Sequence, residues 1–450
     1  MLYLYAMKIG IVGTGIAGMA CGHYLKDAAE VFFHEKNNYA GGHTNTITVT
    51  PPLPSETSVK AKAEPAGLND YCGGEAAGNL HIDTGFMVFN HVTYPHLLNL
   101  FGKLKVPTYP TDMSFSVQFL PGKLEYCGSG INGLFAQRKN IFSLRHIRML
   151  NQIRRFNNES IKIMHSEAYS GYTLERYVAE KRFGGDMLWR YLIPMSAAVW
   201  SAPMSEMLAF PAQTLVNFFY NHGFLGLHTQ HQWYTVTGGS RTYRDALMQP
   251  FRDKILLNDP VVKIIREDAG GVLLVTKNGI RATYDKVVVA CHADEALAML
   301  ENPSEDEKRL LGKFRYQKNI ATLHTDNAVM PKSKRAWSSW NFRVEQLEGT
   351  PKASCTYWMN SLQKLPGKTD YFVTLNDTGN IEPKKILKVI EYTHPLFDVE
   401  AVKAQKELPE LNRKGHIYFC GSYFRYGFHE DALVSAVNVS RQINPHLHLN

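Results

Sequence analysis

No stretch of this chain approaches 18 consecutive apolar residues, so a membrane-spanning helix is not expected. The opening Met1 to Ala6 is apolar but too short for the core of a secretion signal, and it leads straight into a strand-like run. A cytoplasmic protein is the expectation. Cysteine is scarce. Six residues (Cys21, Cys72, Cys127, Cys291, Cys355 and Cys420) are scattered without CxxC spacing, which argues against a disulfide framework and a structural zinc site. Cys21, Cys291 and Cys420 fall in apolar surroundings and read as small core residues. His222, His228 and His231 have no acid or cysteine beside them, and His81 and His91 are not at ligand spacing, so no metal is expected. Charge of one sign is not extreme either: 49 Lys and Arg against 41 Asp and Glu leave a formal +8, and no nucleic-acid motif accompanies it. The excess is uneven, with ten Lys or Arg against four Glu between Gln137 and Phe183. A solvated helix face and contact with an anionic surface such as phospholipid headgroups are both open readings.

What the chain has in strength is the stretch from Met7 to Gly42. The apolar run Ile9 to Val12 suits a buried parallel strand, Gly13-Thr14-Gly15-Ile16-Ala17-Gly18 follows, and Met19 to Asp27 suits a helix. Val31 to Phe33 reads as a second strand, with Glu35 and Lys36 at its end. Strand, glycine turn, helix, strand and acid in that order form a dinucleotide-binding fingerprint. Gly13 permits the tight turn, Gly15 lets a pyrophosphate approach the backbone, and Gly18 lets helix and strand pack closely. The helix start at Ile16 and Ala17 turns free N–H groups and a positive dipole end toward the phosphates. Glu35 suits ribose hydroxyls, and its charge disfavours a 2′-phosphate. A second pair, Gly41-Gly42, follows six residues after the acid and leads into His43-Thr44-Asn45.

These motifs resemble the flavin-containing amine oxidase superfamily, which includes protoporphyrinogen oxidases and phytoene desaturases. The resemblance implies FAD, held non-covalently because no cysteine lies in the forty residues before the terminal motif except Cys420 inside its strand. It also implies that the segment around Gly85 and Phe86 passes beside the flavin ring, and that a backbone group at Val261 meets the adenine. At the C-terminal end, His416 to Gly421 is a strand ending in glycine, and Gly427-Phe428-His429 opens a terminal helix. In the superfamily such a helix points its positive end at the flavin, which favours the reduced, anionic ring. Asp431 stands where a small residue is usual and reads as a helix cap. Lys318 is a weak counterpart of the lysine that positions water in amine oxidases, and no aromatic cage for an amine is recognisable.

A closer resemblance covers nearly the whole chain, through GGHTNT, IDTGFMVFN, AVWSAP, VACHADEALAML, WSSWN, YWMNSLQ and GFHEDAL. It is to a branch of predicted NAD/FAD-binding proteins related to the N-terminal part of plant cyclopropane fatty acid synthases, and it implies chemistry near acyl chains.

The expected architecture is α/β. A doubly wound, Rossmann-like FAD-binding domain (residues 1–92, 233–304 and 411–450) is interleaved with an α+β substrate domain (93–232 and 305–410). Residues 51–80, rich in Pro, Gly and Ala, read as a mobile surface excursion. Ser143 is expected to cap an amphipathic helix with Leu144, Ile147, Leu150, Ile153 and Phe156 on its apolar face and Arg145, Arg148, Arg154 and Arg155 opposite. The basic helix near 144–156 is the candidate for peripheral membrane contact. Leu256 to Ile265 reads as one strand. The aromatics Phe210, Phe218, Phe219, Tyr220, Phe224, Trp233 and Tyr234 suit either core or a tunnel for an apolar substrate. The clusters at 337–341 and 357–363 suit either a pocket roof or ordinary sheet packing.

The leading functional expectation is an FAD-dependent oxidoreductase that takes hydride from an apolar substrate, such as an acyl chain. Its catalytic side chains are not assigned. The alternatives are a redox-neutral double-bond isomerase, a flavin-bearing partner of a lipid-modifying methyltransferase, an amine oxidase and an NAD-dependent dehydrogenase.

Overall fold

Strands buried on both faces read as unbroken apolar runs, and the first sheet is built from such runs. In the computed structural model, which describes residues 7–51, 63–65, 78–226, 229–349, 351–413 and 415–447, five strands form it. They are β1 (Lys8–Val12), β2 (Glu30–His34), β3 (Ile255–Leu256), β4 (Lys286–Val289) and β5 (Ile417–Phe419). All pair in parallel, in the order β3–β2–β1–β4–β5. Helix α1 (Ile16–Leu25) connects β1 to β2 and packs against the terminal helix α2 (His429–Ile443), with Cys21 Sγ 3.7 Å from the Ala436 carbonyl oxygen. The carboxyl ends of these strands lead into Gly13, Glu35, Cys291 and Gly421, and ligands of open α/β sheets bind at such an edge.

The strand expected over Leu256–Ile265 is two. Ile255–Leu256 belongs to the parallel sheet, whereas Val261–Arg266 forms an antiparallel sheet with Val272–Thr276 and Arg281–Tyr284. The chain breaks at Asn258, in the left-handed region at φ 54°, followed by Asp259-Pro260. Backbone bonds from Asn258 to Asn37 and from Asp259 to Glu35 pin the break beside the end of β2.

A seven-stranded sheet forms a second layer. Its order is Ile386–Leu396, Arg315–His324, Phe372–Leu375, Lys352–Trp358, Trp340–Gln346, Phe115–Phe119 and Leu124–Cys127. Two distant parts of the chain therefore share one sheet, joined by the parallel pairing of Phe115–Phe119 with Trp340–Gln346. Helices between residues 144 and 221 follow Phe115–Phe119 and Leu124–Cys127 in the chain. Of the segment 51–80, residues 52–62 and 66–77 lie outside the described residues, as do Met1–Ala6 and His228.

Ser143 caps the helix Leu144–Ser160 as expected, accepting from the His146 N–H. The apolar stripe differs. Leu144 is 79% exposed and Ile147 38%, while His146, Met149, Phe156 and Ser160 are buried. An exact three-residue repeat drifts by about 60° per step around a helix of 3.6 residues per turn. The buried face instead follows 146, 149, 153, 156 and 160. His146 fixes that rotation, because its Nε2 lies 3.0 Å from the Leu134 carbonyl oxygen and its ring packs edge-on against Tyr126 and Phe135.

Candidate cofactor and substrate cavity

The three glycines of the first turn are required for three different reasons. Gly13 has φ 96°, which L side chains rarely adopt. A Cβ at Gly18 would stand 2.1 Å from the Gly13 carbonyl oxygen, so close packing of α1 on β1 needs glycine there. Gly15 needs neither freedom: its φ is −59° and a Cβ would meet nothing within 4 Å. That open space belongs to a cavity of about 970 Å³, at the upper end of the roughly 300–1,000 Å³ usual for ligand sites.

Fifteen of the eighteen residues singled out in the sequence line this cavity: Gly13, Gly15, Ile16, Ala17, Glu35, Lys36, Gly42, His43, Gly85, Phe86, Val261, Gly421, Gly427, Phe428 and His429. The other three, Gly18, Gly41 and Thr44, stand behind its wall. Gly41 has φ 124° and would clash with the Thr44 carbonyl oxygen if it carried a Cβ, and Thr44 is fully buried. The two glycine loops meet face to face, since a Cβ on Gly42 would lie 3.2 Å from Gly15 Cα. Gly85 is glycine for a reason other than ring approach: its Cβ would fall 2.2 Å from the His43 carbonyl oxygen.

Glu35 is more fully engaged than its expected ribose role suggests. One carboxylate oxygen accepts from the N–H and hydroxyl of Thr14, the other from the N–H and amide of Asn37. All four lone-pair sites are taken, so a ribose hydroxyl must share or replace one of these donors. Thr14 in turn accepts from the Gly41 N–H, which couples the two glycine loops through the acid.

Besides His34, whose ring bonds Asp259 and Tyr284, four histidines line the cavity, and the sequence motifs indicated only His43 and His429 of these; His292 and His394 come from strand ends brought in by the fold. Burial lowers the pKa of all four: His429 to about 3, His394 to about 4, His43 well below its ordinary value, and His292 to a lesser degree. They are neutral at pH 7. His43 stacks on Tyr392 with ring centroids 4.7 Å apart, and its Nε2 is buried without a hydrogen-bond partner in the chain. His429 stacks on Phe86 at 3.9 Å and shares a 2.7 Å hydrogen bond with the Tyr243 hydroxyl. No group of three His, Cys, Asp or Glu among the described residues is placed to hold a metal. Asp431 accepts the Phe428 N–H at the start of α2, so it is the cap the sequence suggested, and burial pushes its carboxyl up to about 7.

Beyond the terminal helix the wall is aromatic. Trp200, Phe218, Phe224, Trp233 and Phe428 line the cavity and contact one another, with Phe218 4.6 Å from Phe428 and 4.8 Å from Trp200. Of the predicted stripe, Phe210 and Phe219 pack in the core and Tyr220 is half exposed. Trp340 and Tyr357 also line the cavity, but Asn341 and Gln363 from the same clusters bond within the protein. Cys291 lines the cavity instead of packing in the core, whereas Cys21 and Cys420 are fully buried. Lys318 reaches the cavity only at an exposed position and pairs with Glu391 at 2.9 Å.

A family model described as flavin containing amine oxidoreductase matches residues 16–364. The chain belongs to that family. It is an FAD-dependent oxidoreductase. Whole-chain structural similarity agrees on the fold. Putrescine oxidase bound to putrescine aligns over 98% of this chain and 99% of its own, at 12% identity and a TM-score of 0.63. Cyclohexylamine oxidase from Brevibacterium oxydans IH-35A aligns over 97% and 99%, at 15% and 0.63. The CLA-producing fatty acid isomerase from P. acnes aligns over 97% and 98%, at 13% and 0.62. Sequence comparison with curated proteins gives no match.

The cavity of this family member fits the cofactor. The unfilled space over Gly15 and the unpartnered His43 Nε2 are features that the protein's own packing does not explain. A bound dinucleotide supplies what both lack, a close ligand and a polar partner.

Proposed function

We propose that this oxidoreductase acts on an apolar substrate of the fatty-acyl class, bound against the aromatic wall. The observation that carries the proposal is the composition of that wall. Of the four carboxylates lining the cavity, Glu35 is held by Thr14 and Asn37, Glu391 is paired with Lys318, Glu295 is paired with Lys36, and Asp294 accepts the Glu295 N–H. None belongs to the Trp200–Phe218–Phe224–Trp233–Phe428 set, so a cationic substrate finds no counter-charge there, whereas an acyl chain finds apolar surface.

In this reading Gly15, Ile16 and Ala17 would present backbone N–H groups to the FAD pyrophosphate, with Gly13, whose own N–H donates to the His34 carbonyl oxygen, making the turn and Gly42 and His43 closing over it. Glu35 and Lys36 lie by the ribose and Val261 by the adenine. Gly85, Phe86, Gly421, Gly427, Phe428 and His429 surround the ring. Bound FAD supplies a two-electron acceptor. The chain's share is orientation and dryness: the aromatic wall excludes water, and the start of α2 offers its positive dipole end. Neutral His429, held by Tyr243, adds a polar group without placing a cation there. FAD attachment is non-covalent in this reading, because Cys420 is buried in the core. Residues 93–232 and 305–410 form the substrate-binding part.

The test is anaerobic addition of a free fatty acid, a phospholipid or a diamine to FAD-loaded protein, with flavin absorbance and product mass spectra recorded. Bleaching by an acyl compound supports the proposal. A shifted double bond without net bleaching assigns redox-neutral isomerisation on the same wall. Bleaching by the diamine alone overturns the acyl reading.

A further inference from the structure

We propose that the surface formed by Ile131, Ile141, Phe142 and Leu144 docks on an anionic phospholipid bilayer. These side chains are 77%, 45%, 88% and 79% exposed, and Ile147 beside them is 38% exposed. Single exposed apolar residues are ordinary, but here five fall within one 131–147 segment. The segment is folded on itself. His146 Nε2–H donates to the Leu134 carbonyl oxygen at 3.0 Å, and Arg138 bonds the Asn132 side chain and the Phe135 carbonyl oxygen. The short helix Gly130–Leu134 is thereby tied to the start of the long helix Leu144–Ser160.

Charge names the partner. Between Tyr126 and Asn158 the sequence has six cations (Arg138, Lys139, Arg145, Arg148, Arg154 and Arg155) and no Asp or Glu. Arg145 is offset by Asp186, while Lys139, Arg148 and Arg154 are exposed. Protruding Phe and Leu side chains in a segment that also carries exposed cations match the boundary between anionic headgroups and acyl chains, where apolar burial and electrostatic attraction add. A second copy of the chain is a poorer occupant. A two-fold contact sets the same patch against itself, like charge facing like charge. No helix among the described residues is long and apolar enough to cross a membrane, so this surface offers peripheral contact.

The test needs no catalytic activity, so it stands whether or not the acyl-substrate reading holds. The full chain is sedimented with phosphatidylcholine vesicles, with or without added phosphatidylglycerol. The expected result is co-sedimentation only with the anionic vesicles, weakening as salt rises. A Phe142→Ser/Leu144→Ser variant and a Lys139→Gln/Arg148→Gln variant should each lower the partition coefficient by about tenfold or more. Melting temperature and FAD content should not change, because all four side chains are exposed. Wild-type protein that stays in the supernatant with anionic vesicles overturns the proposal, as does equal pelleting of both variants. Loss of a dimer in sedimentation velocity on Phe142→Ser/Leu144→Ser, without a vesicle effect, also overturns it and assigns the surface to self-association.

Discussion

The Tyr243 hydroxyl lies 2.7 Å from His429 Nε2 and 3.2 Å from the Thr44 hydroxyl, which joins the second glycine loop to the first residue of the terminal helix. All three groups are buried or lie on the cavity wall, and Phe86 stacks on the other side of the imidazole. The two ends of the chain are thereby registered against each other at the proposed flavin ring. Tyr243→Phe removes the bridge and leaves His429 Nε2 buried without a partner. A loss of about 1–3 kcal/mol in unfolding free energy is expected, with weaker FAD retention on dilution. Chemical denaturation with and without added FAD measures both. Unchanged stability in both states would show that the hydroxyl does not anchor the histidine.

The different needs of Gly15 and Gly18 separate cofactor binding from folding. Gly15→Ala is compatible with φ −59° and meets no protein atom, so apo stability should hold while the FAD-to-protein ratio falls sharply. Gly18→Ala drives a Cβ to 2.1 Å from the Gly13 carbonyl oxygen. Forced repacking of that kind costs about 1–3 kcal/mol or more, so the apo protein itself should melt earlier. Full FAD occupancy in Gly15→Ala would remove the argument that its open space is a cofactor site.

The glycine turn was legible because strand, turn and helix are contiguous in sequence, so spacing alone carries the geometry. The same holds for Gly421 to His429. His292 and His394 were not legible as cavity residues. They face His43 only because the parallel sheet and the seven-stranded sheet meet there, and no local pattern encodes that meeting. The first turn of the basic helix was misread for a related reason. A count of apolar residues every three positions cannot detect that His146 turns inward to a carbonyl oxygen. The requirement for glycine at position 85 likewise depends on His43, a partner distant in the chain.

The aromatic wall makes a prediction about substrate class. Phe218 stacks on Phe428 and His222 while lining the cavity. Phe218→Leu keeps an apolar surface, and anaerobic bleaching by an acyl substrate should stay within about threefold of wild type. Phe218→Asn puts an unpaired amide against the chain, and the loss should be about tenfold or more. FAD content, read from absorbance, should match in the two variants. Equal effects from Leu and Asn would point to lost volume instead of lost apolarity.

The buried histidines set how stability responds to acid. His23, His222, His324 and His394 are held near 4 and His429 near 3, with burial the leading cause in each. The unfolded chain protonates these residues near 6.5. A lowered folded pKa contributes stability that is fully present above 6.5 and is lost as pH falls toward 4. Asp83 and Asp431 act oppositely. Burial raises them to about 6 and about 7, so protonation in the folded state adds stability over part of the same range. Five histidines against two carboxyls predict a net fall in melting temperature between pH 6.5 and 4. His324 isolates one contribution away from the cavity: its Nδ1 accepts the Asp326 N–H, so Nε2–H donates to Thr374 and the ring is fixed as neutral. In His324→Gln the wild-type fall should become shallower, because one proton fewer is taken up on unfolding. A slope identical to wild type would mean that this imidazole is already protonated, or water-exposed, in the folded protein.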